Sequence, residues 1–174
     1  MNQVIENILK RRSIRKFIEK PIEKEKLDAI LKAAAYAPSG KNLQTWQFTA
    51  IVNRKKLEIF YKIIGKVLER EDYDFYNAEA IIITSNIKDG NWSKEDNACA
   101  LENIFLAATS LGVGSVWLNQ LQTISDAPDI RKLLNEYGIP KEHDVYGIAA
   151  IGYPQNPGTF DKEVTKKGVI KIIE

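Results

Sequence analysis

The chain has 174 residues, 44% of them hydrophobic and 28% charged, and at about 150 residues per domain it reads as one globular domain, residues 1–174, able to bury a core without disulfide or metal staples. Twenty-five basic against 23 acidic residues leave a net charge of +2, too balanced for bulk charge to point to nucleic acid or a membrane surface. A single Cys (Cys99) and a single His (His143) exclude an intrachain disulfide, a multi-cysteine zinc site and paired-histidine metal motifs. No apolar run approaches the ~20 residues of a membrane span, and the first twelve residues place acid and amide before their basic residues, the wrong order for a signal peptide. A reducing, cytoplasmic setting is expected.

In chain order, Val4, Ile5, Ile8 and Leu9 fall on one side of a short helix over 2–12. Leu27, Ile30, Leu31 and Ala34 predict a second helix over about 23–37, stopped by Pro38-Ser39-Gly40. Trp46 to Val52 reads as a strand, and Leu57, Phe60, Ile64 and Val67 recur at helical spacing over 54–70. Asp72 to Asn77 has no assignable period, whereas Ala80 to Ser85 is a near-continuous apolar run, a buried strand. The helix over 95–111 is apolar around most of its circumference and so should be buried, against a second subunit if one domain cannot cover it. Gly112 ends it, and Val113 to Leu118 forms a strand. A helix over about 127–137 stops at Gly138. Val145 to Tyr153 is another buried strand, and Gly168 to Ile173 reads as a short β segment. This order suits α/β or α+β, and periodicity alone does not choose between them.

Several familiar motifs are absent or accidental. Gly112-Val113-Gly114 follows a helix and lacks the third glycine of a dinucleotide fingerprint. A Ser-His-Asp triad would need His143, which lies in the hydrophilic stretch 140–144 and is expected at the surface. SxxK occurs at both Ser13 and Ser85, two matches that show how weak the pattern is. Cys99 lies within an apolar helix and is expected to be an inert buried thiol. With no nucleophile, base and orienter visible, any chemistry is expected to be borrowed from a cofactor.

Three segments stand out. Residues 10–16 hold five cations in seven positions, more than a helix C-terminus needs; crowded cations repel unless an anion sits among them, and arginine forks with the Ser13 hydroxyl suit a phosphate ester, the alternative being a solvated basic turn. Residues 37–46 form a polar loop in which Asn42 and Gln44 carry amides that both donate and accept, the alternative being plain capping. Residues 112–120 carry glycines that permit either a close backbone approach or a tight turn.

RRSIRKF, APSGKNLQTWQF, the helix and strand NACALENIFLAATSLGVGSVWLN and the late strand IAAIGYPQNP, in this order, resemble the FMN-dependent nitroreductase family from about residue 5 to 160. The resemblance implies an α+β fold, a mostly antiparallel central sheet flanked by helices in an intertwined homodimer with C-terminal strand exchange. It implies FMN at the dimer interface. Arg11, Arg12, Ser13 and Arg15 would hold its phosphate, ribityl and pyrimidine parts, and Pro38, Ser39, Gly40 and Asn42 would reach the flavin of the other subunit, with Gln44 a further polar contact. The backbone at Trp117, Leu118 and Asn119 would face the ring, and Lys166 or Lys167 would return to the phosphate. Two departures stand beside this likeness: Glu79 occupies a place where relatives often carry proline, and the stretch that builds a lid over the substrate is short.

The implied activity is reduction of nitroaromatics, quinones or related acceptors by NADH or NADPH, in a ping-pong scheme with hydride passing through flavin N5. Reductive dehalogenation is an alternative. It needs a lid that grips a zwitterion, and the stretch with Glu69, Glu71, Asp72 and Tyr73 has no Lys between Lys66 and Lys88. A non-catalytic FMN carrier or sensor would bind flavin through the same residues. A nucleic-acid module would rest on residues 10–16 alone, with only Phe17 to stack a base.

Overall fold

The computed structural model describes residues 2–163, 165 and 168–174. Five helices, α1 (Gln3–Lys10), α2 (Lys24–Ala35), α3 (Arg54–Val67), α4 (Ser93–Ser110) and α5 (Pro128–Glu136), surround four strands, β1 (Gln47–Ile51), β2 (Ala80–Ile87), β3 (Gly114–Leu118) and β4 (His143–Gly152). The strands form one sheet in the order β1-β2-β4-β3, and every neighbouring pair is antiparallel. The fold is therefore α+β, the choice periodicity could not make.

The two faces of the sheet carry separate cores. Ile81, Ile83, Ile148, Ala150, Val116 and Leu118 face α3 and α5, where Leu57, Phe60, Ile64, Ile130 and Leu134 are buried. Ile82, Ala149 and Ile151 face α2 and α4, against Ile30, Ala34, Leu101, Ile104 and Ala108. Strand alternation accounts for this division, and burial on both faces explains why β2 lacks a polar period. A bulge between Thr84 and Ser85 shifts the register against β4, and Val145 consequently points to the same core as Ile148 across an odd spacing.

Local signals end the elements. Asn53 caps α3 through its side chain, which accepts from Lys56 N at 3.1 Å. Gly138 (φ +80°) follows α5, and Ile139 N donates back to Leu134 O at 2.9 Å, a left-handed closure that favours glycine.

Three expectations need correction. Gly168 to Ile173 makes no strand within the chain: Val169, Ile170, Ile172 and Ile173 are all more than 80% exposed, and among the described residues no strand pairs with them. Cys99 is exposed within the chain, not buried, because it points away from the sheet; the chain alone leaves that side of α4 open, with Leu106 and Ala107 only half covered, as expected if one domain cannot bury the helix. His143 is not a surface loop residue. It opens β4, half-buried, with Nδ1 3.1 Å from Ser85 Oγ, because strand pairing with Ile87 draws it into the sheet. The apolar stripe of α1 also stays open, with Val4, Ile5, Ile8 and Leu9 exposed.

Candidate functional site

After α1 the chain runs along the outer edge of β3. Ile14 N donates to Ser115 O at 2.9 Å, and Ser13 pairs with Ser115 in a parallel bridge. Gly114 makes this approach possible, since a Cβ there would come within 2.9 Å of Ile14 Cβ. The two readings of the 112–120 segment thus divide between its glycines: Gly112 (φ +70°) makes the turn after α4, and Gly114 permits the close contact. Farther along, Ile18 N donates to Tyr153 O at 2.9 Å and Gln155 N to Lys16 O at 3.0 Å, so the segment is laced to the end of β4.

Between this segment and residues 154–162 lies a cavity of about 400 Å³. Ser13, Arg15, Lys16, Gln155, Thr159 and Lys162 line it, and among the described residues no carboxylate does. Three cations and several neutral donors around one concavity are the chemistry that an anion requires. Beside it, the buried Ser115 Oγ has no hydrogen-bond partner among the described residues.

The other two arginines of the cluster are engaged elsewhere. Arg11 Nε lies 3.3 Å from Glu102 Oε1 of α4, a largely exposed pair of small energetic worth. Arg12 donates to Leu9 O at the open end of α1, to Arg11 O at 2.8 Å and to Lys162 O through Nε at 3.1 Å. Part of the cation repulsion inferred from residues 10–16 is therefore answered inside the chain by one carboxylate and by helix-end carbonyls.

The polar loop after α2 sits apart from this cavity. Gly40 to Asn42 form a single 3-10 turn, and Lys41, Asn42 and Gln44 all have positive φ (51°, 58° and 50°), at about 1–2 kcal/mol each for non-glycine residues. Ser39 Oγ accepts from Gln44 N at 2.9 Å, and Gln44 Nε2 donates to Asn42 Oδ1 at 2.7 Å. Pro38, Asn42 and Gln44 are exposed. Among the described residues, no hydrogen bond or ion pair joins this loop to residues 11–16.

At the end of β3, Leu118 is buried in the core, Trp117 is 42% exposed with its ring beside Phe105, and the exposed Asn119 donates through Nδ2 to Gln122 Oε1 at 2.7 Å. Lys166 and Lys167 lie outside the described residues.

A second, smaller cavity of about 230 Å³ opens between residues 70–76 and Leu118 and Gln120. Asp72, Phe75, Tyr76 and Asn77 hold positive φ here, the reason no helical or strand period could be found. Burial pushes the Tyr73 phenol above its ordinary pKa, and its hydroxyl has no partner among the described residues. The Tyr76 ring stands 6.0 Å from the Arg15 guanidinium carbon, linking this cavity to the basic segment. Arg70 lines the cavity, which corrects the expectation that this stretch lacks a cation: a guanidinium pairs with carboxylate at least as well as an ammonium.

Sequence reasoning assigned no role to Lys16, Gln155, Thr159, Lys162, Arg70 or Tyr76. Lys16 stands within the basic segment at 10–16 and Gln155 within a quoted motif; the others become neighbours of the site only through folding and carry no local signal.

The chain matches the Nitroreductase family over residues 8–75 and 68–153, which together span most of its length. The chain belongs to the nitroreductase family. A solved nitroreductase with bound FMN from Bacteroides fragilis is 41% identical, with a TM-score of 0.90 and full coverage of both chains. A protein of Archaeoglobus fulgidus, provisionally named NADH dehydrogenase/NAD(P)H nitroreductase, is 34% identical over 92% of this chain and 90% of its own length. The iodotyrosine deiodinase of Thermotoga neapolitana is 29% identical over 85% of this chain and 87% of its own. Within this nitroreductase fold no described helix is long and apolar enough to cross a membrane.

Proposed function

We propose that this chain is an FMN-dependent NAD(P)H oxidoreductase that reduces electron-poor acceptors such as nitroaromatics and quinones, and that it works as a homodimer. The observation that carries the reading is the cavity lined by Ser13, Arg15, Lys16, Gln155, Thr159 and Lys162, whose cations and neutral donors, free of any carboxylate, fit a phosphate monoester. The FMN-bound relative of nearly the same fold supports the choice of ester. FMN held there would supply the redox chemistry, hydride transfer between a nicotinamide and the acceptor.

The chain's own groups bind and orient. Ser13 and Arg15 grip the ester and the polar end of the ring, with Arg11 and Arg12 flanking them and Lys166 or Lys167 closing from the C-terminal segment. The Arg15 guanidinium offers positive charge where reduction raises electron density. The backbone of Trp117, Leu118 and Asn119 forms the floor. The second copy contributes the loop of Pro38, Ser39, Gly40, Asn42 and Gln44, which explains its separation from the cavity within one chain. The two copies meet through the open faces of α1 and α4, where Val4, Ile8 and Leu106 line an apolar groove, and residues 168–173 cross to the partner's sheet edge. Donor and acceptor bind in turn on one exposed face, so no His, Cys or Asp base is needed.

Purified protein should be yellow, and anaerobic mixing with NADH or NADPH should bleach the flavin band. Steady-state rates with a nitroarene or quinone should give parallel double-reciprocal lines. Arg11→Ala combined with Arg15→Ala should yield colourless protein. Yellow, flavin-loaded double variant would overturn the phosphate assignment, and a flavin that no nicotinamide bleaches would point to a carrier. Arg70 in the smaller cavity, together with the deiodinase relative, favours a second reading, reductive dehalogenation of a halogenated tyrosine. Halide release from iodotyrosine by reduced enzyme decides between the two acceptors.

A further inference from the structure

The loop at 38–44 keeps three non-glycine residues in the left-handed region, a backbone that a free loop abandons, so something must hold it. Two side chains at the start of α4 do so. Asp96 Oδ1 accepts from Gly40 N at 2.9 Å, and Asp96 is only 7% exposed. Trp92 lays its ring against Gly40 so closely that a Cβ there would stand 2.5 Å from Trp92 Cδ2, and Lys41 Nζ lies 5.4 Å from the centre of the same ring. Among the described residues, Asp96 has no ion-pair partner; the Gly40 N–H and its place in the first turn of α4 are what compensate its charge. The packing of α4 does not need it, since Ala100, Leu101 and Ile104 make that contact. A buried carboxylate without a cation is costly, and here the one hydrogen bond it accepts among the described residues comes from a loop 56 residues away.

We propose that Asp96, with Trp92, is a positioning residue for flavin binding. The pair clamps the Gly40 peptide, so that Ser39, Asn42 and Gln44 face the second copy's flavin in one fixed arrangement and the loop is not ordered at the expense of binding. The inference rests on the FMN reading above.

The test is FMN affinity of refolded apoprotein, measured by quenching of flavin fluorescence, with circular dichroism and sedimentation run alongside. Asp96→Ala should weaken FMN binding at least about tenfold, equivalent to about 1.4 kcal/mol, while secondary structure and sedimentation stay as in wild type. Asp96→Asn keeps the Oδ1 acceptor and should remain within about threefold of wild type. Gly40→Ala, whose new methyl strikes the Trp92 ring, should also weaken binding, and Trp92→Leu added to it should restore part of the loss. Wild-type affinity in Asp96→Ala overturns the proposal, as does equal weakening in Asp96→Ala and Asp96→Asn. If Asp96→Ala fails to fold, the Gly40→Ala pair decides, and absence of rescue overturns the clamp. Wild-type protein that binds no FMN refutes the underlying reading instead.

Discussion

His143 shows how one residue's role depends on its neighbours. Its ring meets Ser85 Oγ at 3.1 Å, and burial, more than the nearby Arg131 charge, holds its pKa below the ordinary 6.5. The unfolded chain therefore binds this proton more readily than the folded one. The stabilising contribution is complete above pH 6.5, where the ring is neutral in both states, and is lost as pH falls through the lower folded value. Thermal melts from about pH 8 to about pH 5 should show wild type losing stability more steeply below pH 6.5 than His143→Gln, which cannot take up that proton. Parallel curves would mean that the ring titrates freely. The hydrophilic stretch around His143 marks it as a surface residue; strand pairing places it at the sheet. Cys99 is the converse case, apolar by context yet exposed.

At the scale of elements, helix and strand types were readable because their periods differ and their ends are chemically marked. Asn53 caps α3, and Gly112 and Gly138 supply the left-handed residues that end α4 and α5. β2 was readable as doubly buried from its unbroken apolar run. The Phe75–Asn77 turn was not, since its residues adopt a backbone that local preference disfavours and that tertiary contacts hold, among them Arg54 donating to Asn77 Oδ1. α4 packs its inner face tightly: Ile104 is fully buried between sheet and α2, and Ile104→Ala should cost about 2–5 kcal/mol in urea unfolding. A loss under ~1 kcal/mol would mean that this core readily collapses around the gap.

For the whole molecule, the separation of the two groups of site residues is the main organising fact. Residues 13–16 join the ends of β3 and β4 around one cavity, while the 38–44 loop is braced on the N-terminal turn of α4. The proposed second copy would reconcile them and would also cover the apolar surface of α1 and the tail, where Val169 is 95% and Ile170 91% exposed. Deleting residues 168–174 should leave the helical and strand content of the chain intact while raising the monomer fraction in sedimentation at micromolar concentration. An unchanged dimer would remove strand exchange from the picture, and a wild-type monomer would remove the dimer itself.

The resemblance through four motifs, the element order and the basic, amide and glycine segments were all present in the order of residues, because hydrophobic period, caps and motif spacing act over a few neighbouring positions. The α+β class was implied by the resemblance though not by periodicity; the partners of Arg11 and Arg12, the contribution of Gln155, Thr159 and Lys162, and the hold of Asp96 on Gly40 came only with folding. Each of these depends on which distant backbone edges and side chains meet, and such contacts are set by sheet register and by packing on two cores, which no local window of sequence encodes.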